Sequence, residues 1–310
     1  MYHLLNPNLP KSKKKYLFAG LGTMGYHMAG FLSQNNDIDL FVYNRSTKAT
    51  DKWLKQHKGH RFDLTNPDNI GLDGIILCLK DDAAITDVLV NKNLLASLKK
   101  NTFIIDHSTT SVNLVKLINN HKEIINKSIF FFDAPISGGE TGAINGSLSV
   151  MFGGPMKKIQ TIKKLMASYS KSIVHIGPSG HGQLTKMVNQ LCIAGLIQGL
   201  SEGIALGVSS NLNMNKVFDA ISKGAAQSWQ MDNRFKSMVN NKFNFGFAVD
   251  LMIKDLKISM QEAKSVDLDL KITQSVLKNY LKLSEEGAGD LDTSSLIKLL
   301  NKKSLQKQAQ

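Results

Sequence analysis

Short apolar runs alternate with amphipathic stretches over the first half of the chain. These runs predict β-strands, and several are apolar at every position, as in parallel strands covered on both faces. The predicted strands are Tyr16–Ala19, Leu40–Tyr43, Gly74–Leu79, Thr102–Asp106, Ile129–Asp133, Leu148–Phe152 and Ile173–Ile176. Strands that alternate with helices indicate a mainly parallel sheet with right-handed crossovers.

The pattern changes after Gly177, where only helical spacing of apolar residues is found. Gly207 is expected to cap the long helix, and Asp292 or Thr293 to start the last one. The predicted helices are 179–210, 213–223, 249–266, 269–286 and 293–303. The chain therefore predicts an α/β domain with a Rossmann-type, mainly parallel sheet, followed by an all-α domain. The expected boundaries are a flexible tail over 1–14, the α/β domain over 15–176 and the helical domain over 177–310.

Composition is that of an ordinary globular protein, with 42% hydrophobic and 20% charged residues in 310. A chain of this length exceeds what one core usually holds, which agrees with two domains. No apolar run approaches the roughly 20 residues of a membrane helix, so we expect no membrane partner. The polar tail resembles neither a secretory signal nor, lacking arginine, a mitochondrial presequence.

The two cysteines are far apart and show no metal-ligand spacing. We therefore expect no metal and a cytoplasmic location. The net charge of +13 comes mostly from lysines spread along the chain. A nucleic-acid surface would be clustered and interleaved with aromatic residues, so nucleic-acid binding is not expected. The positive field instead suits a small anionic substrate and a polyphosphate cofactor.

A glycine-rich turn, Gly20-Leu21-Gly22-Thr23-Met24-Gly25, follows the first predicted strand and opens a helix. Gly20 permits a tight turn, Gly22 lets the backbone approach a pyrophosphate, and Gly25 allows close packing of helix on strand. The helix N-terminus offers N–H groups and a positive dipole end to phosphates. In this context the motif predicts a dinucleotide-binding site.

The end of the second predicted strand indicates which dinucleotide is bound. NAD-preferring folds usually carry Asp or Glu about 20 residues after the glycines. Here the segment is Tyr43-Asn44-Arg45-Ser46-Thr47, with no carboxylate to repel a 2′-phosphate. Because the Arg45 guanidinium can grip a phosphate with paired donors, NADP(H) is favoured. NAD(H) stays possible if Arg45 is only a solvated surface residue.

Polar residues follow the later strands, at the sheet edge where ligands of such folds bind. Leu79 and Lys80 follow one strand, and Ser108 and Thr109 follow the next. We expect Leu79, Lys80 and Thr109 near the cofactor. Thr110 or Ser111 is better explained as a helix N-cap.

A glycine-dense segment, Ser137-Gly138-Gly139, follows a further strand. Its hydroxyl and backbone N–H groups suit a small carboxylate, although a merely mobile loop would have the same composition. Lys186 and Asn189 are three residues apart on the long helix and share a face. Partial desolvation would lower the lysine pKa towards working pH, whereas a lysine that only snorkels from the helix would keep it.

Taken together, these segments resemble the β-hydroxyacid dehydrogenase family. It includes 3-hydroxyisobutyrate dehydrogenase, tartronate semialdehyde reductase, the glyoxylate/succinic semialdehyde reductases and, more distantly, 6-phosphogluconate dehydrogenase. The likeness spans nearly the whole chain. The motifs that carry it are Gly20–Gly25, Asp133–Gly139, Gly177–Asn189, Lys254-Asp255-Leu256 and the ending Asp292–Leu296.

The resemblance implies reversible hydride transfer between the nicotinamide and a short 3-hydroxy acid or its semialdehyde. It assigns substrate binding to Ser137, Gly138 and Gly139, catalysis to Lys186, and substrate positioning to Asn189. It places Thr109 and Lys254 at the cofactor, with Asp255 supporting Lys254. Proteins of this family pair subunits through the helical domain, which implies a homodimer or homotetramer. The resemblance also implies that the helical domain contributes to the substrate cleft.

Two departures from the family pattern are local. Lys80 stands where many members carry proline, and His107 stands where small residues are common. His181 lies between family glycines and is expected to be a loop residue, not a general base. The alternatives left open are a tartronate or glyoxylate/succinic semialdehyde reductase and, from another class, a catalytically silent dinucleotide-binding module.

Overall fold

The computed structural model describes residues 12–67 and 70–300. The chain forms two compact units that meet between Leu184 and Thr185, here called the N-terminal unit and the C-terminal unit. The strands are β1 Lys14–Ala19, β2 Ile38–Tyr43, β3 His60–Arg61, β4 Gly74–Leu77, β5 Phe103–Asp106, β6 Phe130–Asp133, β7 Ile136–Ser137, β8 Leu148–Gly153 and β9 Ser170–Gly177.

Helices connect the strands and then continue alone. In the N-terminal unit they are α1 Gly25–Ser33, α2 Thr47–Leu54, α3 Asp82–Thr86, α4 Leu94–Ser97, α5 Val112–Asn119, α6 Lys122–Asn126, α7 Gly139–Ile144 and α8 Ile159–Met166. The later ones are α9 His181–Ser209, α10 Met214–Ile221, α11 Trp229–Val239, α12 Val249–Ser265 and α13 Lys271–Leu283. A π-helical turn spans Ser284–Ala288, and a 3₁₀ helix spans Thr293–Leu299.

The sheet has the order β3-β2-β1-β4-β5-β6-β8-β7, and β9 pairs with β8. The first six strands are parallel, as in a Rossmann fold, which confirms the predicted fold class. Beyond β6 the sheet turns mixed, because β8 runs antiparallel to β6 and β7 and parallel to β9. The carboxyl ends of β1, β4, β5 and β6 therefore lie side by side at one edge.

Alternate residues of β1 explain why its sequence is apolar throughout. Tyr16 and Phe18 pack in a core on one face of the sheet, while Leu17 and Ala19 pack in a second core on the other. Successive side chains of a strand point to opposite faces, so a strand covered on both sides needs apolar residues everywhere. Fully buried Trp53 completes the first core.

The C-terminal unit is built around two apolar clusters. Ala194 and Ile197 of α9 pack with α12 and α13 in one, and Ile204 packs with α11 in the other. The buried Asp292 carboxylate fixes the start of the 3₁₀ helix. It accepts hydrogen bonds from Phe247 N and Ser294 N and pairs with Arg234 Nε at 3.0 Å. Asp292 is therefore the N-cap that the sequence predicts, although the helix it starts is 3₁₀.

Several predicted elements need correction. The pattern misses β3 and β7, which are two residues long, and α11, whose apolar positions are diluted by polar ones. It predicts a strand to Leu79, but β4 ends at Leu77. Lys14, predicted to lie in the tail, begins β1; residues 1–11 of that tail and residues 301–303 of the last helix lie outside the described residues.

Gly207 does not end α9, which continues to Ser209. A Cβ at Gly207 would lie 2.9 Å from the Met214 sulfur, so the glycine serves close packing with α10 instead. The helix is followed by Asn211 in the left-handed region, with φ of 57°, a common end for a helix. His181 is the first residue of α9 and not a loop residue as predicted.

By length and composition alone, α9 would be able to cross a membrane. The prediction that no apolar run reaches this length is therefore wrong. The mostly buried core helix of a soluble protein meets the same criteria, but only 28% of the apolar part of α9 is buried in the single chain. The buried polar side chains of Lys186, Gln190 and Ser201 lie on this helix.

Candidate active site

The glycine turn after β1 has the geometry that each glycine was predicted to serve. Gly20 has φ of 104°, and a Cβ there would lie 2.1 Å from the Cys78 carbonyl oxygen. A Cβ on Gly25 would lie 1.9 Å from the Gly20 carbonyl oxygen, so only glycine lets α1 start this close to β1. A Cβ on Gly22 would meet no atom of the described residues within 4 Å. The turn is therefore closely packed at Gly20 and Gly25 and open at Gly22.

The start of α1 is suited to an anion. Its N-cap residue, Met24, provides no side-chain hydrogen bond to the first turn. The positive end of the dipole of this nine-residue helix thus lies at the glycine turn, directly after Gly22. The residues present fit the pyrophosphate of a dinucleotide, whose negative charge would take the place of the missing cap.

Asn44 joins the end of β2 to this turn. Leu21 N–H donates to Asn44 Oδ1 at 3.0 Å, and Asn44 Nδ2 donates to the Ser46 carbonyl oxygen at 3.3 Å. Arg45 and Ser46 are exposed beside it. The predicted residues at the end of β2 are thus held against the glycine turn by one amide side chain.

A cavity of about 540 Å³ lies at the carboxyl ends of β2 and β3. Tyr43, Phe62 and Leu64 line it, and Arg61 and Lys92 lie at its border. Lys92 Nζ lies 3.4 Å from Asp87 Oδ2 and 3.5 Å from the Tyr43 hydroxyl. Sequence reasoning missed Arg61 and Lys92, because both lie beside short elements that leave no hydrophobic pattern.

The ends of β4 and β5 are linked by side chains. Leu79 N–H donates to Ser108 Oγ at 2.8 Å, which brings the predicted Leu79 next to the Ser108-Thr109 pair. Lys80 is exposed and Thr109 is half-buried. Ser111 caps α5 by accepting from Leu114 N, which confirms that part of the segment has a structural role.

The carboxyl group of Asp106, the last residue of β5, is buried. Its Oδ1 accepts from Ser108 N at 2.9 Å, and its Oδ2 makes no hydrogen bond to any described residue. Burial raises the pKa of Asp106 to about 7, although hydrogen bonds from Ser108 lower it; the nearby Asp133 and Asp82 raise it by smaller amounts. Burial likewise raises the pKa of the neighbouring Cys78 thiol to about 12, so this thiol stays protonated.

Ser137, Gly138 and Gly139 form a turn between β7 and α7. Ser137 is half-buried and paired with Ser149 of β8, while both glycines are exposed. Gly138 has φ of 130° and Gly139 has φ of 61°, conformations that favour glycine. The two glycines therefore leave backbone, without side chains, at the surface beside the Ser137 hydroxyl.

Asp133 and Gln183 bind the start of α9 to the sheet edge, a role that their place in the motifs Asp133–Gly139 and Gly177–Asn189 did not predict. Asp133 accepts from Gly180 N at 2.7 Å and from Gln183 N at 2.9 Å. The Gln183 side chain accepts from Thr110 N at 3.1 Å and donates to the Ser108 carbonyl oxygen at 2.8 Å. Burial raises the pKa of Asp133 despite these bonds.

Lys186, Asn189 and Lys254 lie in the C-terminal unit. Lys186 is buried, 7% exposed, and burial lowers its pKa to about 8, which Asp255 raises and Lys254 lowers. Asn189 Nδ2 donates to Gln190 Oε1 at 2.8 Å, and Gln190 Nε2 donates to Asp255 Oδ2 at 2.7 Å. Asp255 Oδ1 lies 3.1 Å from Lys254 Nζ.

These contacts bring the predicted Asn189 and Lys254 into one polar chain through Asp255. Gln190 completes the chain, a role that the sequence does not predict because it depends on Asp255, far along the chain. Lys186 lies in the electrostatic field of the same two charged residues. The arrangement can hold a lysine whose amine exchanges a proton near neutral pH.

Two family models match successive parts of the chain. The NAD-binding domain of 6-phosphogluconate dehydrogenase matches residues 15–177, and the model described as NAD-binding of NADP-dependent 3-hydroxyisobutyrate dehydrogenase matches residues 180–300.

Relatives and solved structures agree with these models. An uncharacterized oxidoreductase of Shewanella frigidimarina is 40% identical over 93% of this chain and 98% of its own. The 2-hydroxy-3-oxopropionate reductase of Escherichia coli is 30% identical over 74% of this chain and 78% of its own. The solved structure of Mycobacterium tuberculosis 3-hydroxyisobutyrate dehydrogenase with L-serine has a TM-score of 0.83 at 24% identity, covering 93% and 99%. That structure has the same fold.

Proposed function

Because this chain belongs to the 3-hydroxyisobutyrate dehydrogenase family of NAD(P)-dependent oxidoreductases, we propose that it interconverts a short 3-hydroxy acid and its semialdehyde. The observation that carries this proposal is Lys186, a buried lysine whose pKa is lowered to about 8. An amine with that pKa is present in both protonation states near neutral pH, as a reversible acid–base catalyst requires.

The bound nicotinamide supplies hydride chemistry at its C4 atom. In reduction the Lys186 ammonium donates a proton to the aldehyde oxygen, and in oxidation the neutral amine takes the proton of the alcohol. The charge on Lys186 is set by burial and by the opposed effects of Asp255 and Lys254. In this proposal the chain of contacts from Asn189 through Gln190 to Asp255 keeps these groups in place.

We assign the substrate carboxylate to Ser137 and to the backbone of Gly138 and Gly139. An exposed backbone without side chains, next to a hydroxyl, offers several donors to one small anion. Asn189 would orient the substrate oxygen. These roles agree with the half-buried position of Ser137 and with the conformation of the two glycines.

We propose NADP(H) as the preferred cofactor, contacted by Leu21, Thr23 and Met24 of the glycine turn and by Asn44, Arg45 and Ser46. Support comes from the exposed Arg45 and from the absence of a carboxylate in Tyr43–Thr47. Leu79, Lys80, Thr109 and Lys254 are further proposed contacts.

Reduction of tartronate semialdehyde (2-hydroxy-3-oxopropionate) is the second candidate activity. It is favoured by the likeness to the E. coli 2-hydroxy-3-oxopropionate reductase. Glyoxylate and succinic semialdehyde are further substrates to compare. A cytoplasmic location stays a prediction that cell fractionation tests.

The proposal is tested by a panel of short 3-hydroxy acids and their semialdehydes, assayed in both directions with NADP(H) and NAD(H). Lys186→Ala should lower kcat by about 10²- to 10⁴-fold, the range of general acid–base catalysis, and leave NADPH binding intact. Lys257→Ala, which removes an exposed lysine of α12, is the matched control. NADPH binding with no turnover of any substrate would instead identify a silent dinucleotide-binding module.

We also propose that the chain forms a homodimer or homotetramer through α9. Large apolar side chains of this helix are exposed in the single chain: Val188 by 60%, Leu196 by 47% and Leu206 by 70%. A second copy would remove this row of apolar surface from water.

A further inference from the structure

His107 is buried at the end of β5 and makes two hydrogen bonds that the proposed mechanism does not use. Its Nδ1 lies 2.6 Å from the Ala134 carbonyl oxygen, and its Nε2 lies 2.8 Å from the Tyr169 hydroxyl. The two rings meet edge to face, with centroids 5.5 Å apart. His107 is 2% exposed and Tyr169 is fully buried.

Both bonds require a proton on Nδ1, and burial selects the neutral form of the ring over the imidazolium. A carbonyl oxygen can only accept, so Nδ1 carries the proton. Nε2 of the neutral ring then accepts from the Tyr169 hydroxyl. Burial favours the neutral ring and lowers the pKa of His107 to about 4, against a smaller raising effect of the Ala134 carbonyl. At neutral pH the ring is therefore a fixed link between Ala134 and Tyr169.

The link joins Ala134, which precedes the Ser137–Gly139 turn, to Tyr169, whose backbone binds Leu148 after that turn. At one end, Ala134 is held on both sides, because its N–H donates to the Asp106 carbonyl oxygen at 2.7 Å and its carbonyl accepts from His107. At the other end, Leu148 N–H donates to the Tyr169 carbonyl oxygen at 3.3 Å. Residues 134–148 thus form a loop closed at its base by His107 and Tyr169.

Ser137 is held by its pairing with Ser149 of β8, whereas the two glycines that follow it lie at the surface. Gly138 and Gly139 are exposed, and a Cβ on Gly139 would meet no described atom within 4 Å. The position of the turn therefore depends on this strand pairing and on where Ala134 and Leu148 are held. Ser108 and Thr109 follow His107 directly after β5, so the segment at the end of this strand contacts both regions.

We propose that His107 and Tyr169 are positioning residues that set the Ser137–Gly139 turn in place for its ligand. The ligand role of that turn rests on the proposed function. The positioning role does not, since it concerns the loop geometry alone.

The test compares Tyr169→Phe with Tyr280→Phe. Both substitutions remove one hydroxyl from a fully buried ring, and the Tyr280 hydroxyl donates to the Thr293 carbonyl oxygen at 3.2 Å in the C-terminal unit. Backbone amide hydrogen exchange is measured over residues 137–147. Tyr169→Phe should speed it by about five- to tenfold, the change expected for one lost buried hydrogen bond. Tyr280→Phe should leave this segment unchanged.

Kinetics supply the second readout. In Tyr169→Phe the KM for the organic substrate should rise several-fold, while kcat and the Kd for NADPH change less. His107→Gln keeps an acceptor near the Nε2 position, so it should change loop exchange and the substrate KM less than His107→Asn does. The comparison of these two variants replaces Tyr169→Phe if Tyr169→Phe does not fold. The ¹⁵N shifts of the His107 ring should report a proton on Nδ1 at neutral pH.

The outcomes separate the two proposals. Equal loop exchange in Tyr169→Phe and Tyr280→Phe, or a His107 ring with its proton on Nε2, would overturn the positioning role. Faster loop exchange in a protein that turns over no substrate of the panel would leave the positioning role standing and refute the proposed activity.

Discussion

Lys186 illustrates how one residue acquires its chemistry from its surroundings. An exposed lysine is almost wholly protonated at neutral pH and cannot act as a base. Burial disfavours the ammonium form and brings the pKa of Lys186 to about 8, while Asp255 and Lys254 act in opposite directions on it. The pH dependence of the reaction therefore reports on these three residues.

We expect kcat/KM for alcohol oxidation to rise with pH and level off above about 8, because the neutral amine of Lys186 is the base. For aldehyde reduction, kcat/KM should fall above the same pH, because the ammonium is the acid. Asp255→Asn should move the inflection to lower pH and Lys254→Gln should move it to higher pH. Lys264→Gln, an exposed position on α12, is the control. An inflection of kcat/KM at the same pH in wild type and in both variants would contradict the role of Lys186 as the acid–base group.

Arg45 sets the expected cofactor preference. Arg45→Ala should raise the KM for NADPH by about tenfold or more, the value of a lost charge-assisted hydrogen bond to a phosphate. The KM for NADH should change little, because NADH has no 2′-phosphate. The measurement is kcat/KM for both cofactors, with Lys55→Ala at the other end of α2 as control. A variant that keeps its preference for NADPH would refute the role of Arg45.

At the scale of elements, only some features of α9 can be predicted from its sequence. Its length and the pair Lys186 and Asn189 follow from the sequence, because apolar periodicity and residue spacing are local. The roles of Gln183 and Gln190 do not, because each depends on a partner far along the chain, Ser108 and Asp255 respectively. Buried amide side chains acquire meaning only from the contacts that folding creates.

The exposed apolar face of α9 yields a prediction about assembly. Leu206→Lys should shift the protein towards monomer in size-exclusion chromatography with light scattering, because the new charge would be buried between copies. Leu206 is 70% exposed in the single chain, so the substitution should leave the fold of one copy intact. Gln160→Lys, on an exposed position of α8, adds the same charge as a control. An unchanged oligomer would place the interface elsewhere.

At the scale of the whole chain, the strand–helix alternation and the glycine turn suffice to predict a Rossmann-type sheet followed by helices. They do not predict the mixed edge, since β7 consists of Ile136 and Ser137 alone and pairs with β8 through contacts between backbones. Short strands contribute too few residues for any period to show. The same holds for β3, whose Arg61 lies beside the cavity near Asn44.

The free energy of unfolding should depend on pH through two adjacent buried residues, His107 and Asp106. Their effects on its change with pH are opposite. Burial lowers the pKa of His107 to about 4, so between pH 4 and 6.5 the unfolded chain binds more protons there and stability rises with pH. Burial raises the pKa of Asp106 to about 7, so over the same range the folded chain binds more protons there and stability falls with pH. In the wild type the two slopes, each about 1.4 kcal/mol per pH unit, oppose one another.

Single substitutions should expose each slope. Between pH 4.5 and 6.5, the stability of wild type relative to His107→Asn should rise by about 2 kcal/mol, and relative to Asp106→Asn it should fall by about as much. Other groups of raised pKa, such as Asp133, are common to all variants and cancel in these differences. The free energy of unfolding is measured by urea titration, following fluorescence of the buried Trp53 in a Trp229→Phe background, since the chain has two tryptophans. Differences that do not vary with pH would mean that neither group changes its pKa on folding.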